Sequence, residues 1–178
     1  GEDHPDFTGI VDAFYEVRGF GHVVGMGPLV DRARDRLTPE ITWSVDAARA
    51  LTPETIARGE RTRAAVHARV AAWFEDHDLL LIPTAVVPPF PVEWTTVPEV
   101  EGHAFERYID WIAITFAISM TGLPAISVPC GFTSEGLPIG LQIVGPPRGE
   151  HAVLHAAAAF ERAAGLGPLT PIDPRPGD

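Results

Sequence analysis

Lysine and asparagine are absent from this 178-residue sequence, cysteine occurs once, and serine occurs only at Ser44, Ser119, Ser127 and Ser134. A lone Cys130 excludes an intrachain disulfide and makes a reducing, cytoplasmic setting the expectation. The serines are isolated: none stands in G-x-S-x-G or S-x-x-K, the local patterns of activated serine nucleophiles. Long apolar runs are also missing. The longest uncharged one, residues 111–123, is too short and too polar at its end to span a bilayer. Positive charge is scarce: 13 basic residues, all arginine, stand against 24 acidic ones, for a net charge of −11. Phosphate backbones and anionic membranes are repelled on average, so neither is an expected partner. No charged-then-apolar leader opens the sequence, and "GEDHPDF" at its start reads as the interior of something longer.

What is present is an apolar fraction of 46%, enough for a sizeable core. A compact chain of this length buries about 70% of its unfolded surface and fits one domain. Ile10, Phe14, Val17 and Val24 lie near helical spacing, and the spacing predicts a helix over 7–24 that frays at Gly19, Gly21 and Gly25. The run "GFGHVVG" follows a helix pattern and not a strand, so it is no phosphate-cradling loop. Thr38-Pro39-Glu40 and Thr52-Pro53-Glu54 each offer an N-cap hydroxyl, a proline at the first helical position and an acid at the positive end. Each starts a helix, the first to about Ala50 and the second to about Asp76, the latter turning Val66, Val70, Trp73 and Phe74 inward.

"DLLLIP" at 78–83 reads as a short strand buried on both faces. A proline-rich loop over 84–103 follows, long enough to be a pocket wall or a stiff connector. Residues 105–121 read as a helix enclosed on most sides, then two strands, 125–133 and 137–144, form a hairpin through Ser134, Glu135 and Gly136. A last helix over 150–164 turns Val153, Ala157, Phe160 and Ala164 inward, with His151, His155 and Arg162 outward. The fold class is α/β: a few strands of a mixed sheet covered by helices, as one partial domain over 1–178 with the 84–103 loop inside it.

Chemistry is hard to locate. His151 and His155 have metal-ligand spacing, but no H-E-x-x-H surrounds them and they face outward. Cys130, at the end of an apolar strand without a histidine signature, reads as a buried, inert thiol. Glu75, Asp76, Asp78, Glu93, Glu99 and Glu101 read as solvated acids. No catalytic residue, metal site or cofactor site is expected in this chain.

"TGLPAISVPCGF", then "GLPIGLQIVG" and a Glu-initiated alanine-rich helix, resembles the C-terminal part of the amidase signature family. "FEDHDLLLIPT", "HPDF" and "GPLVDRARDRLTPEI" fall in the same order, so the resemblance covers nearly the whole chain. It implies an α/β/α fold and an enzyme that hydrolyses small carboxylic amides with a serine nucleophile, a bridging serine and a lysine base. Such a lysine must be neutral, hence buried, and glycine-rich backbone N–H groups hold the oxyanion. In the family these residues lie in the N-terminal half. A chain without lysine or adjacent serines cannot supply them, so the resemblance implies a missing N-terminal half as partner and an inactive isolated chain.

Two positions depart from the family. Ser119 stands where Asn is frequent. Ile112 stands where the ammonia-delivering subunits of glutaminyl- and asparaginyl-tRNA amidotransferases carry an Asp that recognises free glutamine, which favours a general amidase over such a subunit. A stand-alone, non-catalytic binding or assembly module is the reading from another class, because cut sheet edges and apolar helix faces invite dimerisation.

Overall fold

The computed structural model describes residues 3–166. Helices α1 (Ile10–Ala33), α2 (Pro39–Arg49) and α3 (Pro53–Trp73) come first. Strand β1 (Leu80–Pro83) follows, then a two-residue ladder of β2 (Glu99–Val100) with β3 (His103–Ala104). Helix α4 (Ala113–Thr121), strands β4 (Ala125–Phe132) and β5 (Pro138–Val144), and helix α5 (Glu150–Ala164) complete the order. The strands β1, β5 and β4 lie side by side in that order, each antiparallel to its neighbour.

The sheet is covered on both faces. On one side Leu80 and Val144 meet Ile10 of α1, Val66 and Val70 of α3, and Ala117 and Ile118 of α4. On the other, Val128 and Ile143 meet Ala157 of α5, with Ile126, Leu141 and Phe160 packed around them. The alternation of strand side chains assigns these residues to opposite faces, because Ile143 and Val144 are adjacent yet belong to different cores. The hairpin turn has Gly136 at φ 83°, in the left-handed region that the turn needs and glycine occupies without strain. Proline starts α2 and α3 as expected, but only Thr52 caps with its hydroxyl, accepting from Thr55 N–H at 3.2 Å.

Four expectations are corrected. The first helix does not fray at its glycines but runs to Ala33, with Pro28 inside it. Tertiary packing overrides the weak local propensity there. An added Cβ at Gly19 would stand 2.5 Å from Leu51 Cδ1, so the glycine lets α1 and α2 approach. Further along, Val30 is buried and Arg49 of α2 pairs with Asp31 at 2.8 Å.

The helix expected over 105–121 is regular only from Ala113, after a 3-10 turn at Asp110–Ile112. Phe105 N–H is drawn to Pro98 O at 2.9 Å, and Arg107 N–H to Asp110 Oδ2 at 3.0 Å, which holds the preceding residues in a turn. Its Thr115 and Ser119 face is exposed, not enclosed. Strand β1 is likewise not buried on both faces: Leu81 is 56% exposed, because β1 is the sheet edge and pairs only with β5 among the described residues. Lastly, Cys130 is half-buried, not buried.

Val70 is fully buried where α3 meets the sheet. Val70→Ala is expected to lower stability by about 2–3 kcal/mol in urea unfolding, and a loss below about 1 kcal/mol would contradict this core assignment.

Candidate functional site

The end of β1, the first part of the proline loop and the open end of the β4–β5 hairpin enclose a groove of about 920 Å³. That volume is at the upper end of small-molecule sites. Thr84 sits where β1 turns into the loop; its N–H donates to Gly140 O at 3.0 Å, continuing the ladder by one residue. Thr84 Oγ1 and Ser127 Oγ, brought together from residues 43 apart, are 2.8 Å from each other. Gly140 lies beneath them, and a Cβ there would stand 2.8 Å from Thr84 Oγ1 and 3.1 Å from Ser127 Oγ. Only glycine leaves this hydroxyl pair undisturbed. Thr115 Oγ1 of α4 donates to Thr84 O at 3.2 Å, tying the helix to the groove floor.

The proline loop is a wall of this groove. Phe90 meets Trp111 edge-to-face with centroids 5.4 Å apart and stacks on Trp94 at 6.0 Å, so the loop folds back against the turn before α4. A β-bulge at Pro129 to Gly131 leaves Cys130 as the unpaired extra residue of β4 and brings it to the groove lining. Ser127 and Cys130 thus share one concave surface. Among the described residues, however, the lining carries no acid, no arginine and no histidine. Neither the Ser127 hydroxyl nor the Cys130 thiol has a basic side chain beside it in this lining.

The other sequence candidates scatter. Ser44 is buried in α2 against Tyr108 Oη at 3.2 Å, Ser119 is exposed on α4 and Ser134 is exposed in the hairpin turn. His151 and His155 are exposed on α5 with ring centroids 6.4 Å apart. Glu75, Asp76, Asp78, Glu93, Glu99 and Glu101 are exposed, as expected of solvated acids. Sequence reading missed Thr84, Trp111, Gly140 and Gln142. Gln142 is buried beside Ser127 on the paired strand, and its Nε2 has no hydrogen-bond partner among the described residues. A threonine directly after an apolar strand, and glycine and glutamine alternating along "IGLQ", were the available signals.

Comparison with known proteins agrees with this geometry. The family model described as Amidase matches residues 29–154, more than half of the chain. The chain is 42% identical over 93 residues to a glutamyl-tRNA(Gln) amidotransferase subunit of Alkaliphilus metalliredigens, covering 52% of this chain and 18% of that protein. The corresponding subunit from Brevibacillus brevis is 44% identical over 93 residues, again 52% and 18%. Among solved structures, a bacterial aryl acylamidase of the amidase signature family superposes with a TM-score of 0.75 at 26% identity, over 89% of this chain and 34% of that one. A 6-aminohexanoate cyclic dimer hydrolase gives a TM-score of 0.70 at 26% identity, over 91% and 35%. The chain therefore spans about a fifth to a third of the length of its relatives.

Gly140→Ala is expected to cost about 1–3 kcal/mol of stability by prising Thr84 and Ser127 apart. Adding Thr84→Ala should recover part of that loss in a double-mutant cycle by thermal unfolding; strict additivity would show that the two positions do not press on each other.

Proposed function

Since the chain belongs to the amidase signature family, we propose that it is the C-terminal, substrate-enclosing part of an enzyme that hydrolyses small carboxylic amides to acid and amine or ammonia. One observation carries the proposal: a groove of substrate size lined by Thr84, Trp111, Ser127 and Cys130 holds no group able to act as a base. A complement bearing the Ser-Ser-Lys machinery supplies the nucleophile and the lysine that this sequence lacks. The chain alone is inactive and works in the cytoplasm, where its single thiol stays reduced.

The surface that receives the complement includes the free edge of β1. Thr84 N–H points to β5, and alternation along an antiparallel strand turns Leu81 and Pro83 to the outer edge. Pro83 has no N–H and Leu81 is 56% exposed, so this edge offers one donor and an apolar side chain. Without a complement, the same edge, together with the exposed Phe132 of β4 and Ile139 of β5 at the hairpin end, would pair two copies of the chain.

A general amidase is favoured over an amidotransferase component by the turn before α4. Isoleucine occupies position 112, and the nearest acid, Asp110, is already engaged: its Oδ1 accepts from Tyr15 Oη at 3.0 Å and its Oδ2 from Arg107 N–H at 3.0 Å. Both oxygens of Asp110 thus already accept a hydrogen bond. Sequence identity of 42–44% to amidotransferase subunits favours the second reading. Hydrolysis of aryl or alkyl amides without glutaminase activity separates the two.

Co-expression with the N-terminal half of a related amidase is expected to give a stable complex that releases amine or ammonia, whereas each part alone releases none. Cys130→Ser and Ser127→Ala should leave the rate of the complex within about threefold, as groups that only line the groove do. A stable but inactive complex, or activity from the chain alone that Ser127→Ala abolishes, would overturn the proposal.

A further inference from the structure

A second cavity, of about 220 Å³, lies between α1, α2 and the turn at residues 105–112 and shares no lining residue with the groove. The close approach of α1 and α2 at Gly19 creates its apolar side, formed by Trp43 and Leu51. Arg18, His22 and Arg107, with the hydroxyls of Tyr15 and Ser44, supply its polar lining, and no acid lines it. In a chain with a net charge of −11, such a concentration of basic side chains is not the composition of an average surface.

The two guanidinium groups differ. Arg107 has carboxylates nearby, Asp12 Oδ1 at 3.5 Å and Asp110 Oδ1 at 3.4 Å, and stacks over the Tyr15 ring at 3.9 Å, although its buried Nε makes no hydrogen bond among the described residues. Arg18 has no carboxylate partner among the described residues. Its contacts are a long hydrogen bond of 3.4 Å to Tyr108 Oη and the Phe14 ring at 5.4 Å. A half-buried guanidinium left with so little compensation attracts an anion.

Neutral donors converge on the same place. Ser44 Oγ and Tyr108 Oη, which also accepts from Arg18, are 3.2 Å apart and either can donate to the other, so one of the two hydroxyl protons has no acceptor among the described residues. Tyr108 is itself fixed, because Thr96 Oγ1 donates to its carbonyl at 2.6 Å. Burial, and after it the nearby Arg18, push the His22 pKa down.

We propose that this cavity is a binding site for a small carboxylate whose anionic end is held by Arg18 and Ser44 and whose short hydrocarbon part lies against Trp43 and Leu51. The charge requirement disfavours the corresponding neutral amide, and the cavity volume limits the ligand to a short chain or a single ring. The site is built from this chain alone and is independent of where the nucleophile of an amidase comes from.

Butyrate and its neutral counterpart butyramide serve as probes, titrated into the chain and into its complex with a complement. Binding is followed by calorimetry and by the indole N–H resonance of Trp43. Butyrate is expected to saturate and to shift that resonance, with butyramide weaker by about tenfold, the value of one charge-assisted contact. Arg18→Gln should weaken butyrate by about tenfold while leaving the circular dichroism and melting temperature unchanged, and Ser44→Ala should weaken it less. Equal affinity for butyrate and butyramide, unchanged butyrate affinity in Arg18→Gln, or no saturation by chain with native circular dichroism would overturn the proposal.

Discussion

The burial of two adjacent β5 residues against opposite helical layers holds the remaining elements in place. Ile143 and Val144 are 1% and 0% exposed, one packed toward α5 and the other toward α1, α3 and α4. A strand two side chains wide thereby joins both cores, and its two edges carry β1 and β4. Register follows from this demand, since a slip by one residue would exchange the faces of every apolar side chain in the strand. The same register places Gly140 opposite Pro129 and next to Thr84, and so sets the floor of the groove.

What the groove lacks is the basis of the proposed division of labour. Activating a serine or cysteine requires a base within hydrogen-bonding reach, or a cationic neighbour that lowers its pKa. The lining around Ser127 and Cys130 provides neither, only apolar surface, prolines and the Thr84 hydroxyl. Such a surface suits enclosing a substrate and excluding water from it, a role compatible with a nucleophile delivered from another part of the fold. The basic cavity near Arg18 has the opposite character, charged at one end and apolar at the other, and lies in the helical layer away from the sheet edge.

Much of this arrangement was legible in the sequence wherever a local signal and the tertiary packing agree. The Thr-Pro-Glu starts of α2 and α3, the wheel of α5 and the β4–β5 hairpin all appear with small shifts at their ends. Local signals failed where distant residues decide. Gly19 read as a fraying point, yet packing against α2 carries α1 past it and on through Pro28. Leu81 read as buried because a run of apolar residues does not reveal that its strand is an edge. Cys130 read as an interior thiol because a one-residue bulge leaves no sequence mark of its own. The pairing of Thr84 with Ser127 and the basic cavity both join segments far apart in the chain, which no periodicity can bring together.

On the proposed function the reacting nucleophile lies outside this chain, with the groove around it. Treating an active complex of the chain and its complement with a serine-directed sulfonyl fluoride, then weighing each polypeptide by mass spectrometry, tests this most directly. The account expects one adduct on the complement, with loss of activity in step with labelling and no mass change on the 178-residue chain. An adduct on Ser127 or Cys130 that accompanies inactivation would contradict it.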